Sequence, residues 1–106
     1  MPLTDLTAEE KAVVLECLKC VAAGHVIAHD WEFQTLMGIE PAELQTVVAA
    51  WPQVDDSEEK VACAIGNSMN SLLGLLDDEA LRNRLPVLRS QVVAVFNKWR
   101  GEQSGH

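Results

Sequence analysis

Residues 88–99, with the sequence LRSQVVAVFNKW, decide the fold class of this chain. Their apolar positions follow the i, i+4, i+7, i+8 and i+11 spacing that places side chains on one face of an α-helix. These positions are Leu88, Val92, Val95, Phe96 and Trp99. No segment has the alternating pattern of a half-buried strand. The stretch therefore predicts an amphipathic C-terminal helix, ended by a glycine at position 101, in an all-α protein.

Two helices are predicted in the first part of the chain. Thr7 and Glu10 fit the capping-box pattern, in which each side chain bonds the backbone amide of the other residue. The helix that begins there is expected to end at about Gly24. Asp30 is expected to be the N-cap of a short helix over 31–37.

The third helix is predicted from two prolines. Pro41 suits the first helical position, where its missing amide costs nothing, and Pro52 closes the helix. Gly38 separates this helix from the one before it, because glycine adopts the left-handed conformation that ends many helices. Its apolar face is predicted to consist of Leu44, Val47, Val48 and Trp51.

Acidic residues mark the two helices that follow. Asp55, Asp56 and Ser57 are predicted N-caps of a fourth helix that runs to about Gly74. Residues 77–79 open a short fifth helix, which a proline at position 86 interrupts. We therefore expect one compact bundle of about five to six helices, two of them short. The expected domain is 1–101, followed by a flexible tail over 102–106.

The composition of the chain indicates where in the cell the protein is found. Acids interrupt the first twenty residues, so no secretion signal is visible, and the longest uncharged run, 61–76, is too short and too polar for a membrane span. Three cysteines, an odd number, indicate reduced thiols rather than a disulfide framework. These features predict a soluble protein of the cytoplasm.

Charge is unevenly distributed along the chain, which has a formal net charge of −8. The segment from Leu81 to Gly101 contains five basic residues and no acid. These bases either pair with acids elsewhere in the bundle or form a separate basic face. Both arrangements are compatible with the sequence.

Cys17, Cys20, His25 and His29 have the side chains of a zinc site. Their spacing is not that of a zinc finger, because Cys17 and Cys20 fall inside the first helix and the link to the histidines is too short for a separate arm. We therefore expect two small buried side chains and two loop histidines, with no metal or other cofactor. A zinc-binding module remains an alternative.

Residues 33–47 resemble a helix-turn-helix, the supersecondary motif of many DNA-binding proteins. A recognition helix approaches phosphates, which favours Lys and Arg. This one carries Glu40 and Glu43, and no base occurs between Val21 and Gln53. A DNA-binding regulator is therefore an alternative function, and nucleic acid is not the expected partner.

Motifs that would support catalysis are missing from the sequence. It contains no glycine-rich phosphate loop, no nucleophile elbow and no His-Glu-x-x-His zinc helix. Its paired carboxylates stand at helix starts, where capping and the helix dipole explain them. We therefore expect a protein that is not an enzyme.

The fourth helix contains an unusual uncharged stretch over 62–74, rich in small and amide side chains. Such a helix lies either at the centre of the bundle or against another chain. In the second case it forms a homodimer seam or a ligand groove lined by Asn67, Asn70 and Met69. The stretch leads us to expect a homodimer.

Aromatic and acidic residues between Val21 and Gln53 suggest a surface for a protein partner. Trp31 at a helix start is a candidate anchor, and the surrounding acids favour a basic or mixed-charge partner. An alternative is that Trp31 and Trp51 fill the core. We expect an adaptor or regulatory partner that works by protein–protein binding. The candidate partner-binding residues are Trp31, Glu32, Glu40, Glu43, Asn67 and Asn70.

Overall fold

The protein is a bundle of six α-helices in the ranges that the structure describes. A computed structural model describes residues 6–24 and 30–100, and for residues 30 and 31 it describes the backbone alone. Within these ranges there is no β-strand, which confirms the predicted all-α class. The helices are α1 (Ala8–Ala22), α2 (Asp30–Met37), α3 (Pro41–Ala50), α4 (Glu59–Leu75), α5 (Asp78–Arg84) and α6 (Arg89–Arg100).

The capping box predicted at the start of α1 is present. The Thr7 Oγ1 atom accepts a hydrogen bond from the Glu10 amide at 3.1 Å, and the Glu10 carboxylate accepts one from the Thr7 amide at 2.8 Å. Two amides that the first helical turn leaves without backbone partners are thereby satisfied. The buried face of α1 includes Val14, Cys17, Leu18 and Val21.

A tight turn joins α2 to α3. Gly38 has φ of +71°, the left-handed conformation predicted for it, and Pro41 occupies the first position of α3. On the buried side of α3, Leu44 and Val47 face the core. Within the described residues, α2 includes Asp30, the residue that was predicted to be its N-cap.

α4 is the central helix of the bundle. It packs against α1, α2, α3 and α6, and its inner side is fully buried at Ala64, Ile65, Ser68, Met69 and Leu72. The burial of apolar surface along this helix drives the assembly of the others around it.

The predicted N-caps of α4 are wrong. The helix begins only at Glu59, and Glu58 occupies the cap position without a side-chain capping bond. Asp55 instead accepts hydrogen bonds from the Ser57 amide at 2.9 Å and the Ser57 hydroxyl at 2.7 Å. This local turn competes with helix capping, because a short acidic side chain can bond the backbone two residues ahead of it.

The short α5 and the amphipathic α6 follow the predicted order. Asp77 caps α5 by accepting a hydrogen bond from the Ala80 amide at 2.8 Å. Val92, Val95 and Phe96 of α6 are buried as predicted. The placement of Leu88 in the same stripe is wrong, since it is 56% exposed. Leu88 precedes the first residue of α6, so its side chain does not follow the buried face of that helix.

Lys98 and Arg89, from the basic C-terminal segment, pair with acids of other helices. Lys98 donates to the Glu10 carboxylate at 2.7 Å and so connects α6 to α1. Arg89 pairs with Asp78 and also donates to the Leu73 carbonyl at 3.0 Å. The alternative in which these bases pair with acids elsewhere in the bundle is therefore the correct one for Lys98 and Arg89.

Among residues 6–24 and 30–100, no helix combines the length and the apolar character that crossing a membrane requires.

Candidate binding groove

An open groove runs between α4 and α6 on the outside of the bundle. The two helices are antiparallel, because the end of α6 contacts the middle of α4 and its start reaches the carbonyls at the end of α4. The groove has a volume of about 430 Å³. Small and amide side chains of α4 form one side, and aromatic side chains of α6 form the other. The main lining residues are Cys63, Gly66, Asn67, Asn70, Phe96 and Trp99.

Trp99 forms the aromatic wall of this groove and is held at both of its ends. Its indole Nε1 donates a hydrogen bond to Asp56 Oδ2 at 2.9 Å. The far edge of the ring lies against Gly66, where a Cβ atom would come within 2.9 Å of the ring. Trp99 is half-buried, so part of the indole remains accessible from the groove. The ring is therefore both fixed and open to a ligand.

Asn67 and Asn70 were predicted as neighbouring partner-binding residues, and both line the groove. Their surroundings differ. The Asn67 amide donates to the Met37 carbonyl at 2.8 Å, which satisfies the last carbonyl of α2. Asn70, one turn further along α4, is exposed. Asn67 therefore joins two helices, while Asn70 is accessible to a ligand. Met69 is fully buried, so the expectation that it lines a groove is wrong.

The α2–α3 turn places the predicted acidic residues next to α4. A Cβ atom on Gly38 would lie 3.7 Å from both the Asn67 amide nitrogen and the Cys63 sulfur. Glu40 is exposed two residues after this glycine. The acidic residues Glu40 and Glu43 therefore lie near the α4 side of the groove.

The Glu43 carboxylate contacts two other residues. Its carboxylate accepts a hydrogen bond from the Glu40 amide at 2.9 Å and pairs with Lys60 of α4. The backbone hydrogen bond from Glu40, followed by the bond to Lys60, keeps the pKa of Glu43 below its ordinary value. Glu32 on α2 is half-buried, and the side chain of Trp31 lies outside the described residues.

The cysteine pair of the zinc hypothesis is buried in the core. Cys17 is inaccessible, and burial raises the pKa of its thiol to about 12. Burial also raises the pKa of Cys20. Within 6–24 and 30–100 no three His, Cys, Asp or Glu side chains are arranged to bind a metal ion. His25 and His29 lie outside the described residues.

The helix-turn-helix hypothesis predicted the α2–α3 pair, which is present. The exposed side of α3 carries Gln45 and Thr46, and the Gln45 amide donates to the Ala22 carbonyl at 3.0 Å. α3 contains no Lys or Arg that would contact a phosphate.

Sequence reasoning missed Trp99 as a wall of the groove and assigned it to the buried stripe. Its partners Asp56 and Gly66 are distant in sequence, so the spacing of α6 alone gave no signal. The one available signal was Gly66 itself, because a glycine inside a helix often indicates close approach by another group.

A comparison of the chain with protein-family models, with curated proteins and with solved structures finds no match.

Proposed function

We propose that this protein acts by binding another protein, and that the α4–α6 groove receives an apolar side chain from a basic or mixed-charge segment of that partner. The observation that carries the proposal is the half-buried indole of Trp99, fixed by Asp56 and Gly66 beside the exposed amide of Asn70.

Fixed aromatic side chains are effective binding anchors. Tryptophan contributes a large apolar area, and interface energy concentrates on a few such residues. A ring that is already held in place loses little conformational entropy when a partner packs on it. Asn70 adds a hydrogen-bond donor and acceptor at the opposite wall, which favours an orientation for the bound segment.

The excess of acidic residues in one part of the chain favours a basic or mixed-charge partner. From Val21 through Glu59 the chain has eight acids and no Lys or Arg. Lys60, the next base, is paired with Glu43. Glu59 and Arg100 both line the groove, so a partner segment that carries both signs of charge can pair with each of them. Exposed charges of this kind mainly accelerate association, and salt screens them.

Self-association is a competing use of the same groove. A two-fold dimer would bury the uncharged side of α4 against its copy. Light scattering over a range of concentrations distinguishes the two, because a stable homodimer with Asn70 buried leaves no accessible groove for another protein.

The proposal is tested by affinity capture from the source cell with three variants of the chain. Asn70→Arg and Glu59→Lys change the groove, whereas Glu9→Lys reverses an exposed charge on α1 outside it. We expect the wild type and Glu9→Lys to retain the same protein, and the two groove variants to lose it. Increasing salt should also release it.

Equal capture by all three variants would show that the groove is not the binding surface. Recovery of DNA in place of protein would favour the helix-turn-helix hypothesis, and recovery of a bound metal ion would favour the zinc hypothesis.

A further inference from the structure

A second groove lies between α5 and α6, and we propose that it receives an acidic segment with apolar side chains from a different protein. This surface is separate from the α4–α6 groove, and the proposal does not rest on the function proposed above.

The α5–α6 groove has exposed apolar side chains along one edge. Its volume is about 660 Å³. Leu88 is 56% exposed and Val93 is 38% exposed, and both line it. Large exposed apolar side chains that share one groove are typical of surfaces that bind a partner. Around them lie Arg82, Arg89, Ser90 and Ala94.

The charge of this groove is opposite to that of the molecule as a whole. Arg82 is exposed, and within the described residues it makes no hydrogen bond or ion pair. Arg89 is fixed by Asp78 and by the Leu73 and Leu76 carbonyls, and among the described residues Asp78 is the one acid that lines the groove. The groove is therefore lined by two guanidinium groups and by one carboxylate, which is already paired with Arg89.

This local positive charge favours an acidic segment as the occupant of the groove. An Arg guanidinium without a partner suits a carboxylate, and a bidentate pair adds orientation to the contact. A segment with leucine-like side chains and flanking Asp or Glu would fill the apolar edge and pair with Arg82. The net charge of −8 repels acidic molecules in general, so binding of such a segment requires this local positive site.

Two synthetic amphipathic peptides test the proposal. They share their length and leucine positions, and one carries Glu where the other carries Lys. Each is titrated into the isotope-labelled full chain and followed by its amide NMR signals. We expect the Glu peptide to shift the signals of residues 88–94, and the Lys peptide to leave these signals unchanged.

Substitutions test whether the Glu peptide binds in the α5–α6 groove. Arg82→Glu, and Leu88→Ser combined with Val93→Ser, should each weaken binding of the Glu peptide by about tenfold or more. Leu36→Ser is the matched control, since Leu36 is an exposed leucine on α2. It should leave the affinity unchanged, and so should Asn70→Arg in the other groove.

Three outcomes would overturn the proposal. They are absence of binding by the Glu peptide, binding that Arg82→Glu does not weaken, and equal shifts of the same signals with the Lys peptide. Shifts of residues 88–94 that grow with protein concentration alone would assign this groove to a second copy of the chain and would also contradict it.

Discussion

Gly66 and Trp99 are in direct contact, and a Cβ atom on residue 66 would lie 2.9 Å from Cζ3 and 3.2 Å from Cη2 of the indole. The Trp99 ring therefore occupies the space that a side chain at position 66 of α4 would fill. Because Asp56 fixes the other end of the ring, the indole is not free to move away from an added methyl group.

Alanine substitutions at two glycines of α4 should have opposite effects. Gly66→Ala should destabilise the protein by about 1–2 kcal/mol, because overpacking against Trp99 exceeds the gain in helix propensity. Gly74→Ala is the control, since a Cβ atom there meets nothing within 4 Å. It should stabilise by up to about 1 kcal/mol. Urea unfolding measures both, and equal stabilisation would show that the contact is not tight.

The two asparagines of the groove should differ in the same experiment. Asn67→Ala removes the hydrogen bond to the Met37 carbonyl and should cost about 1 kcal/mol. Asn70→Ala should change the free energy of unfolding by less than about 0.5 kcal/mol, because Asn70 is exposed. Equal losses at both positions would contradict the different roles given to them.

Adjacent valines of α6 test which face of the helix is buried. Val92 is fully buried, and Val93 is 38% exposed. Val92→Asp places a charge in the core and should cost about 3–5 kcal/mol. Val93→Asp should leave a cooperative thermal transition close to that of the wild type. A stable Val92→Asp protein would mean that the assigned face is wrong.

The cysteines should differ in reactivity. Cys63 is half-buried, whereas Cys17 and Cys20 are buried. We expect a thiol alkylating reagent to modify Cys63 alone in the native protein and all three cysteines after denaturation. Mass spectrometry reads the sites, and rapid native modification of Cys17 would contradict its burial.

Burial of Cys17 also predicts a pH dependence. Its pKa rises from 9.0 to about 12 on folding, so the unfolded chain loses this proton first as pH increases. The stability contributed by the protonated thiol is complete below pH 9 and is lost as pH rises toward about 12. The decrease in unfolding free energy over this window should be smaller in Cys17→Ala, and an equal decrease in both proteins would assign it to other groups.

Local signals in the sequence predicted much of the fold. The capping box of Thr7 and Glu10, the turn at Gly38 and the cap at Asp77 each involve residues no more than a few positions apart. Such interactions form in almost any tertiary context, so the sequence was sufficient. Asp55 was not predicted correctly, because its carboxylate could either cap α4 or form a turn with Ser57. The structure has the turn with Ser57.

The candidate groove was predicted only in part. The uncharged composition of α4 indicated an unusual helix that carries Asn67 and Asn70, but not which of its sides faces the core. The contacts that shape the groove join Trp99 to Asp56 and Trp99 to Gly66, pairs that are distant in sequence. Their proximity depends on how the helices pack, which periodicity does not specify.

The most direct test of the proposed function is to map the captured partner on the surface of the full chain. The partner is titrated into isotope-labelled protein, and the amide and indole NMR signals are followed. We predict shifts at Trp99 Nε1 and along the exposed side of α4 around Asn70, which disappear in Asn70→Arg and persist in Glu9→Lys. Shifts confined to other helices, with Trp99 unchanged, would contradict the claim that this groove binds the partner.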